Sequence, residues 1–482
     1  MKSFSSVDSK EYWLHIYQIT TKMTIEAFHS LVERGNLQNN EYQSDGVQWC
    51  LNQETHSTPI CGVRGGFIAD EMGLGKTLMM VGTIASNSLN HTLIVVPPAL
   101  IDQWLKEMSR SLSIKPFVFH GPNVKKCTDR ILSSNTVVIT TYDTISITAN
   151  KLPNLIHKMV WDRIIFDEGH YLRNKRTSRF RGVMLLKTKI SWIISGTPIQ
   201  NRKEDFYNLC SVLGLPAEFY ENPLNLNTIT RTFVLRRTKK DVGLNVPALH
   251  ITNNIVDWTD EHEKFLSSQI HNKLNFVTSD NDSPSSAFHD LTPFTAMIRA
   301  KQMCVFPRML KKMVSKEQNQ GLLLGCESSS KLDKIVDTIL KNKNTQKGKL
   351  VFCQFRLEID EIKRRLLLGG YTDVQVLDGR TPRKDRLKIL EEKHEVIILQ
   401  MRTGCEGLNL QEHNSEIYLT SPNWNPFNED QAIARCHRLG QKNVVFVYKF
   451  EMSNGAVDQN RTIDRYITEV QDSKRTIAQE LF

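Results

Sequence analysis

The chain has 482 residues, 40% of them hydrophobic and 24% charged, which predicts a globular protein of two or three domains and excludes a mostly disordered or fibrous chain. Its 62 Lys and Arg residues exceed its 52 Asp and Glu residues, so the formal net charge is +10. This balance favours a polyanionic partner such as nucleic acid, although a basic solvated surface would give the same composition.

The cysteine spacing excludes several small metal and redox modules. There are nine cysteines and no CxxC pair, which argues against a RING, a zinc ribbon and a thioredoxin-type centre, and predicts reduced thiols. The N-terminus has no apolar core of a signal peptide, and the longest strongly apolar stretch, residues 93–101, is too short to cross a bilayer. We therefore expect an intracellular protein with no membrane partner.

Short apolar runs with β-branched residues recur along the chain, as is typical of buried parallel strands. In chain order they are Leu93–Val96, Val137–Thr140, Arg163–Phe166, Trp192–Ile194, Leu350–Cys353, Val396–Leu399, Ile417–Leu419 and Phe446–Tyr448. Helix-length segments lie between them, including Leu100–Leu112, Leu332–Leu340 and Glu358–Leu368. This alternation predicts an α/β protein with two parallel-sheet domains in tandem.

The middle of the chain breaks this alternation and predicts a connector. Residues 280–286 and 325–330 are loop-like in composition, and Met297–Glu317 reads as a basic helix between them. The predicted organisation is an N-terminal extension (1–40), a first domain (41–225), a partly helical connector (226–330) and a second domain with a C-terminal helix (331–482).

A phosphate-binding loop is predicted at residues 65–77. A strand-like run enters a glycine-bearing loop that ends in Gly75-Lys76-Thr77, and a helical stretch follows. Glycines let backbone N–H groups approach phosphate oxygens, Lys76 would reach the β- and γ-phosphates, and Thr77 would hold Mg²⁺. Asp70 stands where the strict P-loop pattern has glycine. The alternative is a glycine-rich turn before a helix.

Two adjacent carboxylates complete the predicted nucleotide site. Asp167 and Glu168 end the apolar run at 163–166, where Asp167 suits Mg²⁺ and Glu168 suits the general base that polarises water. The alternative for such a pair is an ordinary solvated turn.

These residues begin an ordered series that resembles the motifs of the SNF2-like group of superfamily 2 helicases. Within this group, the motifs resemble those of the Rad5/Rad16-like branch, of which compact versions occur in large DNA viruses. The matching segments are Tyr42-Gln43 with Gly46 and Trp49, Asp70–Thr77, Val95–Pro97 with Gln103-Trp104, Thr140–Tyr142, Asp167-Glu168-Gly169-His170 (the DEGH box), Ser195–Asn201, Leu235–Lys239, Leu350–Phe355, Leu377–Gly379, Gly404–Leu410, Trp424–Pro426 and Gln431–Gln441.

The resemblance implies two RecA-like lobes that bind ATP and Mg²⁺. The implied nucleotide-binding residues are Gln43, Asp70, Glu71, Met72, Gly73, Leu74, Gly75, Lys76, Thr77 and Gln431. The implied catalytic residues are Lys76, Asp167, Glu168, Arg435 and Arg438, with Mg²⁺ held at Thr77 and Asp167. The spacing of the two arginines predicts that both lie on one helix face and supply cations from the second domain.

The resemblance also implies contacts to nucleic-acid phosphates. The residues concerned are Thr140, Thr141, Arg236, Arg237, Lys239, Thr403 and Asn409, and for Arg236 and Arg237 packing in a hinge is the alternative. Two departures from the family pattern, Cys405 and Asn423, affect the expected coupling to DNA rather than the ATP chemistry.

The function implied is a DNA-stimulated ATPase that moves along duplex DNA and remodels protein–DNA complexes, in the nucleus or at a site of viral DNA replication or transcription. One alternative is a strand-separating helicase acting on DNA or RNA, and single-stranded DNA or RNA is the alternative partner to duplex DNA. A second is a scaffold without catalysis, against which the intact catalytic set argues.

Overall fold

The computed structural model describes residues 25–38, 40–112, 114–196, 202–271, 274, 292–310, 329–345, 347–401, 408–453 and 461–481. It divides into two compact units, one ending at Asn245 and one running from Val246 to Leu481. The predicted connector 226–330 thus contributes to both units, and the predicted domain boundaries stay a prediction. Predicted features at 1–24, 197–201, 280–286, 311–317, 325–328 and 402–407 lie outside the described residues.

Seven parallel strands form the sheet of the first unit. They are β1 (Gly65–Ile68), β2 (Thr92–Val96), β3 (Phe117–Phe119), β4 (Val137–Thr141), β5 (Val160–Asp167), β6 (Lys187–Ile194) and β7 (Val234–Leu235). Their order across the sheet is β3-β4-β2-β5-β6-β1-β7. Strands β2 and β4 are buried along their whole length, as expected where helices cover both faces of a sheet.

Twelve α-helices are described in the first unit. They are α1 (25–34), α2 (Glu41–Thr55), α3 (Lys76–Ser86), α4 (Ile101–Leu112), α5 (Pro122–Lys126), α6 (Asp129–Ser134), α7 (Tyr142–Ile145), α8 (Leu155–Lys158), α9 (Ser178–Val183), α10 (Lys203–Leu213), α11 (Ala217–Tyr220) and α12 (Leu226–Phe233). Both β1 and β5 pair with β6, so the loops that follow these two strands leave the same edge of the sheet two strands apart.

The core of the first unit packs large side chains of α2, α3 and α4 against the sheet. Trp104 and Trp192 are fully buried in it. It also encloses an ion pair in which Arg163 Nη2 lies 2.5 Å from Glu54 Oε2, and Glu54 accepts a further hydrogen bond from Trp192 Nε1 at 2.8 Å. These added donors satisfy a carboxylate that would be costly to bury alone.

Six parallel strands form the sheet of the second unit. They are β8 (Leu249–Asp257), β9 (Gly348–Cys353), β10 (Val374–Leu377), β11 (Val396–Gln400), β12 (Asn414–Leu419) and β13 (Val445–Ser453), in the order β10-β11-β9-β12-β13-β8. Its described helices are α13 (Glu261–His271), α14 (Pro293–Val305), α15 (Ser330–Lys341), α16 (Arg356–Leu368), α17 (Arg383–Glu391), α18 (Pro426–Ala434) and α19 (Ile463–Leu481). No helix in the described part of the chain is both long and apolar enough to span a bilayer.

The predicted α/β class with two parallel-sheet domains is confirmed, and each predicted strand lies within an observed one. Strands β3, β7, β8 and β10 were not predicted, and all four lie at sheet edges, where a strand needs less apolar sequence. The helix predicted at 297–317 is wrong in its bounds, because α14 ends at Val305. Pro307 explains the early end, since proline disfavours helical backbone in the residue before it.

Candidate active site

The loop that follows β1 has the backbone of a phosphate-binding loop. It runs over residues 69–75 and leads directly into α3, which begins at Lys76. Gly73 and Gly75 have φ angles of 95° and 81°, a left-handed conformation that residues with a Cβ atom disfavour. The first N–H groups of an α-helix lack partners within the helix and carry its positive partial charge. This end of α3 therefore suits phosphate oxygens.

Lys76 folds back over this loop. Its Nζ donates to the carbonyl oxygen of Asp70 at 2.9 Å and to that of Glu71 at 3.3 Å. Gly196 packs beside it, since a Cβ atom at this glycine would lie 3.4 Å from Lys76 Nζ and 2.9 Å from Met72 Cγ. Neutral carbonyls therefore hold the ammonium group, and an anionic phosphate would be a stronger partner for it.

Asp167 ends β5 and is held by two aromatic side chains. Trp104 Nε1 donates to its Oδ2 at 2.8 Å, and Tyr142 Oη donates to its carbonyl oxygen at 2.7 Å. Burial, and after it the charge of Glu168, raises the pKa of Asp167 to about 6. The nearby charge of Lys76 acts in the opposite direction. A nearby cation stabilises the charged form of a buried carboxylate whose pKa is raised in this way. Asp167 therefore fits the predicted Mg²⁺.

Glu168 turns the chain sharply out of the strand. Its φ and ψ angles are 52° and 48°, a left-handed conformation that costs a residue other than glycine on the order of 1 kcal/mol. Its Oε2 lies 3.2 Å from His170 Nδ1, and its side chain is 20% exposed. The carboxylate is therefore oriented by the DEGH box while remaining accessible to water, as a general base must be.

Gln43, on α2, contacts the phosphate loop itself. Its side chain is buried, its Nε2 donates to the carbonyl oxygen of Leu74 at 3.1 Å, and Asn40 donates to its Oε1 at 3.3 Å. A Cβ atom at Gly75 would stand 2.3 Å from Gln43 Nε2, so glycine is required there for this contact as well as for the backbone angle. Gln43, predicted from the motif series alone, thus lies against the loop that holds Lys76.

Arg237 and Lys239, predicted to contact nucleic acid, place their side chains on the phosphate loop. Arg237 Nη2 lies 2.7 Å from Asp70 Oδ2, and Lys239 Nζ lies 2.9 Å from Glu71 Oε1. Both pairs join positions that are far apart in the sequence, and neither pair was predicted.

The other predicted nucleic-acid contacts of the first unit differ in their exposure. Thr140 and Thr141 are fully buried; Thr140 donates to the carbonyl oxygen of Phe119 at 2.9 Å, and Thr141 accepts from the backbone N–H of Thr144 at the start of α7. Arg236, in contrast, is exposed. Their contacts to nucleic acid stay a prediction.

The predicted arginines of the second unit follow α18. Gln431 lies buried within this helix, which ends at Ala434. The prediction that Arg435 and Arg438 share a helix face is therefore wrong, because both lie in the turn beyond the helix. The side-chain amide of Gln441 stabilises this turn, lying 2.9 to 3.2 Å from the carbonyl oxygens of Gln411, Asn414 and Cys436.

The arginine turn concentrates positive charge. Arg438 is half-buried and donates to the side-chain oxygen of Asn409, a neutral group that was itself predicted to contact nucleic acid. Burial, followed by the charge of Arg435, lowers the pKa of Arg438 to about 10. Two neighbouring cations in partial burial favour an anion, so the turn suits a phosphate group. Thr403 lies outside the described residues.

Helix α19 holds the segment that leads into α18. The buried carboxylate of Glu429 accepts from the backbone N–H of Asn423 at 2.8 Å and from Gln471 Nε2 at 2.5 Å, and Lys449 Nζ lies 2.8 Å from its other oxygen. Gln471 also donates to the carbonyl oxygen of Asn423, and Lys474 donates to that of Trp424. Asn423, the departure from the family pattern, thus lies in a network that fixes the start of α18.

Trp104 and Tyr142 are the functional residues that the sequence left unassigned. Both lie in segments recognised only as motifs, and neither was given a role at the ATP site. Their contact with Asp167 depends on β2 and β4 lying beside each other and β2 beside β5, an order that the sequence does not reveal.

Two known domain families together match most of the chain. An SNF2-related domain matches residues 42–309, and a helicase conserved C-terminal domain matches residues 330–440. The chain is 28% identical over 478 residues to a probable global transactivator of Orgyia pseudotsugata multicapsid polyhedrosis virus, covering 92% of this chain and 91% of the relative.

Other relatives are much longer than this chain. It is 26% identical to the human DNA excision repair protein ERCC-6-like over 508 residues, which cover 87% of this chain and 40% of that protein. Among solved structures, the Sulfolobus solfataricus SWI2/SNF2 ATPase core in complex with dsDNA matches with a TM-score of 0.39 and 22% identity, covering 92% of this chain and 96% of that one.

Proposed function

Because this chain belongs to the SNF2-related family, we propose that it hydrolyses ATP to move along duplex DNA and to remodel protein–DNA complexes. Family membership makes it a nucleic-acid-dependent ATPase. What we propose beyond this is movement along the duplex and its use in transcription, replication or repair. We also propose that the protein acts in the nucleus or at a site of viral DNA replication.

The observation that carries the proposal is the convergence of three predicted groups on one loop. Lys76 bonds to the carbonyl oxygens of that loop, Gln43 bonds to Leu74 within it, and Asp167 is close enough to Lys76 for their charges to interact. The loop geometry supplies N–H groups for phosphates, and the neighbouring carboxylates supply acid–base groups. This combination is that of a site for nucleoside triphosphate hydrolysis.

The chain's own residues have distinct tasks in this reaction. Lys76 would pair with the β- and γ-phosphates from the position that the carbonyl oxygens of Asp70 and Glu71 give it. Glu168 would accept the proton of the attacking water, since its carboxylate is oriented and reached by solvent. Thr77 and Asp167 would hold Mg²⁺, which would supply positive charge against the phosphates.

The arginine turn of the second unit would supply further positive charge to the reaction. Arg435 and Arg438 present planar guanidinium groups that pair with phosphate oxygens in fixed geometry. An anion beside Arg438 would offset the repulsion and the burial that lower its pKa. We propose that both arginines act on the nucleotide during hydrolysis.

Duplex DNA is proposed as the track because the chain is basic overall and its catalytic set is intact. Arg236, Thr403 and Asn409 are the proposed contacts, all of them suited to phosphates rather than to base edges. Phosphate contacts bind any sequence and therefore permit movement along it.

A triplex-displacement assay tests movement directly. The protein is added with ATP to a duplex that carries a short third strand, and release of the third strand is measured. We expect ATP-dependent release by the wild type, none by Lys76→Ala, and wild-type release by Lys388→Ala, whose exposed side chain lies on α17. Release of a paired strand from a forked duplex, without third-strand release, would instead support a strand-separating helicase.

A further inference from the structure

We propose that Arg237 is a positioning residue for ATP hydrolysis, which acts through Asp70 to fix the loop that holds Lys76. This inference rests on the proposed function, because it concerns the same nucleotide site. Arg237 follows β7 in the segment that was predicted to contact nucleic acid or to form a hinge, and its side chain points instead into the first unit.

The guanidinium group of Arg237 joins two functional segments. Its Nη2 and Nε lie 2.7 Å and 3.2 Å from the two carboxylate oxygens of Asp70, and its Nη1 donates to the carbonyl oxygen of Tyr42 at 2.5 Å. Its central carbon lies 5.6 Å from the centre of the Tyr42 ring. Asp70 is fully buried, so this two-pronged pairing satisfies a carboxylate that water does not reach.

The backbone on either side of Arg237 also binds the loop. Strand β7 pairs in parallel with β1 through Phe67 and Ile68. The pairing continues into the loop, where the N–H of Ala69 donates to Leu235 and the N–H of Glu71 donates to Arg237, each at 2.8 Å. The arginine is therefore carried by backbone that is itself fixed to the start of the phosphate loop.

Lys239 extends the same arrangement by one residue pair. Its backbone N–H donates to Glu71 Oε2 at 2.8 Å, and its Nζ lies 2.9 Å from Glu71 Oε1. The side chains of Asp70 and Glu71 are thus held by Arg237 and Lys239, while the carbonyl oxygens of the same two residues accept the bonds of Lys76. Displacing these side chains would displace the acceptors that set the position of the catalytic lysine.

The helix that carries Gln43 leaves room for the arginine. A Cβ atom at Gly46, inside α2, would stand 2.9 Å from Arg237 Nη2 and 2.5 Å from Met79 Sδ. Glycine is unfavourable in a helix interior, so its presence here is explained by this close approach. The ion pair with Arg237 also explains why Asp70 can stand where the strict phosphate-loop pattern has glycine, because Arg237 balances the charge of a buried carboxylate at that position.

The test is the steady-state ATPase activity of the full chain at saturating duplex DNA. For Arg237→Ala we expect the KM for ATP to rise about tenfold or more with a smaller change in kcat, because loop position governs phosphate binding. Arg237→Lys should lie between this variant and the wild type, since an ammonium group cannot bridge both Asp70 oxygens and Tyr42. Arg110→Ala removes an arginine that pairs with Glu107 at the surface of the same unit, and it should stay within about twofold of the wild type.

Two measurements separate positioning from other roles of Arg237. The duplex concentration that gives half-maximal stimulation should be unchanged in Arg237→Lys, and a rise in it without a rise in the KM for ATP would overturn the proposal in favour of a nucleic-acid contact. A lower melting temperature with an unchanged KM for ATP, measured below that melting temperature, would overturn it in favour of a purely structural pair.

A partner-side variant keeps the proposal testable if Arg237→Ala does not fold. Asp70→Asn retains the shape of the side chain and should raise the KM for ATP as Arg237→Lys does. The double variant should show less than the sum of the two effects, because both changes remove one interaction. A KM within about twofold of the wild type in both single variants would overturn the proposal.

Failure of the proposed function would look different. A wild-type chain without ATPase activity on any nucleic acid would contradict the proposed function. The role of Arg237 would then be tested by equilibrium binding of a fluorescent ATP analogue. Tenfold weaker binding in Arg237→Lys would then still support positioning, and equal binding would overturn it.

Discussion

The phosphate loop of the first unit and α18 of the second unit, the helix that leads into the arginine turn, are held in place by the same kind of interaction. In each case, residues near the C-terminal end of the unit return to fix the functional segment: Arg237 and Lys239 bind the loop, and Gln471 binds the start of α18. Both interactions use buried carboxylates, Asp70 in the first unit and Glu429 in the second.

The two regions differ in the surroundings of their cationic side chains. Lys76 is already bonded to two carbonyl oxygens, so its resting position is favourable. Burial, followed by the charge of Arg435, lowers the pKa of Arg438, and its side chain donates to the neutral amide oxygen of Asn409. The loop is therefore preformed for phosphate, whereas the arginine turn gains most when an anion arrives.

Loss of an arginine from the turn should have the largest effect on turnover after loss of the general base. We expect Arg438→Ala and Arg435→Ala to lower the kcat of DNA-stimulated ATP hydrolysis by about a thousandfold, as arginines that stabilise a phosphoryl-transfer transition state do. Rapid-quench measurement of a single turnover reports this step directly. Arg461→Ala, at an exposed ion pair of the same unit, is the control. A kcat within tenfold of the wild type for both turn variants would contradict the contrast drawn here.

Substitution of Trp104 tests the nucleotide site of the first unit, with a smaller expected effect on kcat. Trp104→Phe keeps an aromatic ring in the core but removes the hydrogen bond to Asp167. The loss of one hydrogen bond to a buried carboxylate, worth about 1.5 kcal/mol, should lower kcat about tenfold. Steady-state ATPase kinetics measure this, with the melting temperature recorded alongside. An unchanged kcat would show that Asp167 is positioned by its strand alone.

Glu429 tests whether the interaction that fixes α18 acts on the arginines. Glu429→Gln removes the charge that faces Lys449 and weakens the network that fixes the start of α18. We expect kcat to fall about threefold and the melting temperature to drop, because one buried charge pair is broken. Glu392→Gln, at an exposed pair on the surface, serves as the control. A melting temperature that drops without a change in kcat would show that this interaction supports the fold only.

Salt concentration should affect DNA binding more than ATP binding, and this test needs no change to the protein. The duplex concentration for half-maximal stimulation should rise steeply between about 50 and 200 mM salt, because phosphate contacts release counterions. The KM for ATP should change less, since the loop binds a few phosphates in a partly buried site. Titrations of both substrates at several salt concentrations measure this. Equal salt dependence of both constants would argue against phosphate contacts as the basis of DNA binding.

The sequence predicts this molecule well wherever a pattern is local. Apolar runs marked the central strands, and Gly75-Lys76-Thr77 with Asp167-Glu168 marked the two halves of the nucleotide site. The sequence did not predict the pairing of Arg237 with Asp70, which lie 167 positions apart, because a contact between distant segments leaves no periodic pattern. The end of α18 at Ala434 was missed for a similar reason, since the bonds that hold the following turn come from Gln441.

The most direct test of the central claim is ATP hydrolysis by the wild type and by Glu168→Gln, each with and without duplex DNA. We predict that duplex DNA raises wild-type turnover several-fold, and that Glu168→Gln still binds ATP but loses hydrolysis, because the general base is gone. Equal wild-type turnover with and without any nucleic acid, or full activity in Glu168→Gln, would contradict a nucleic-acid-driven ATPase built on this site.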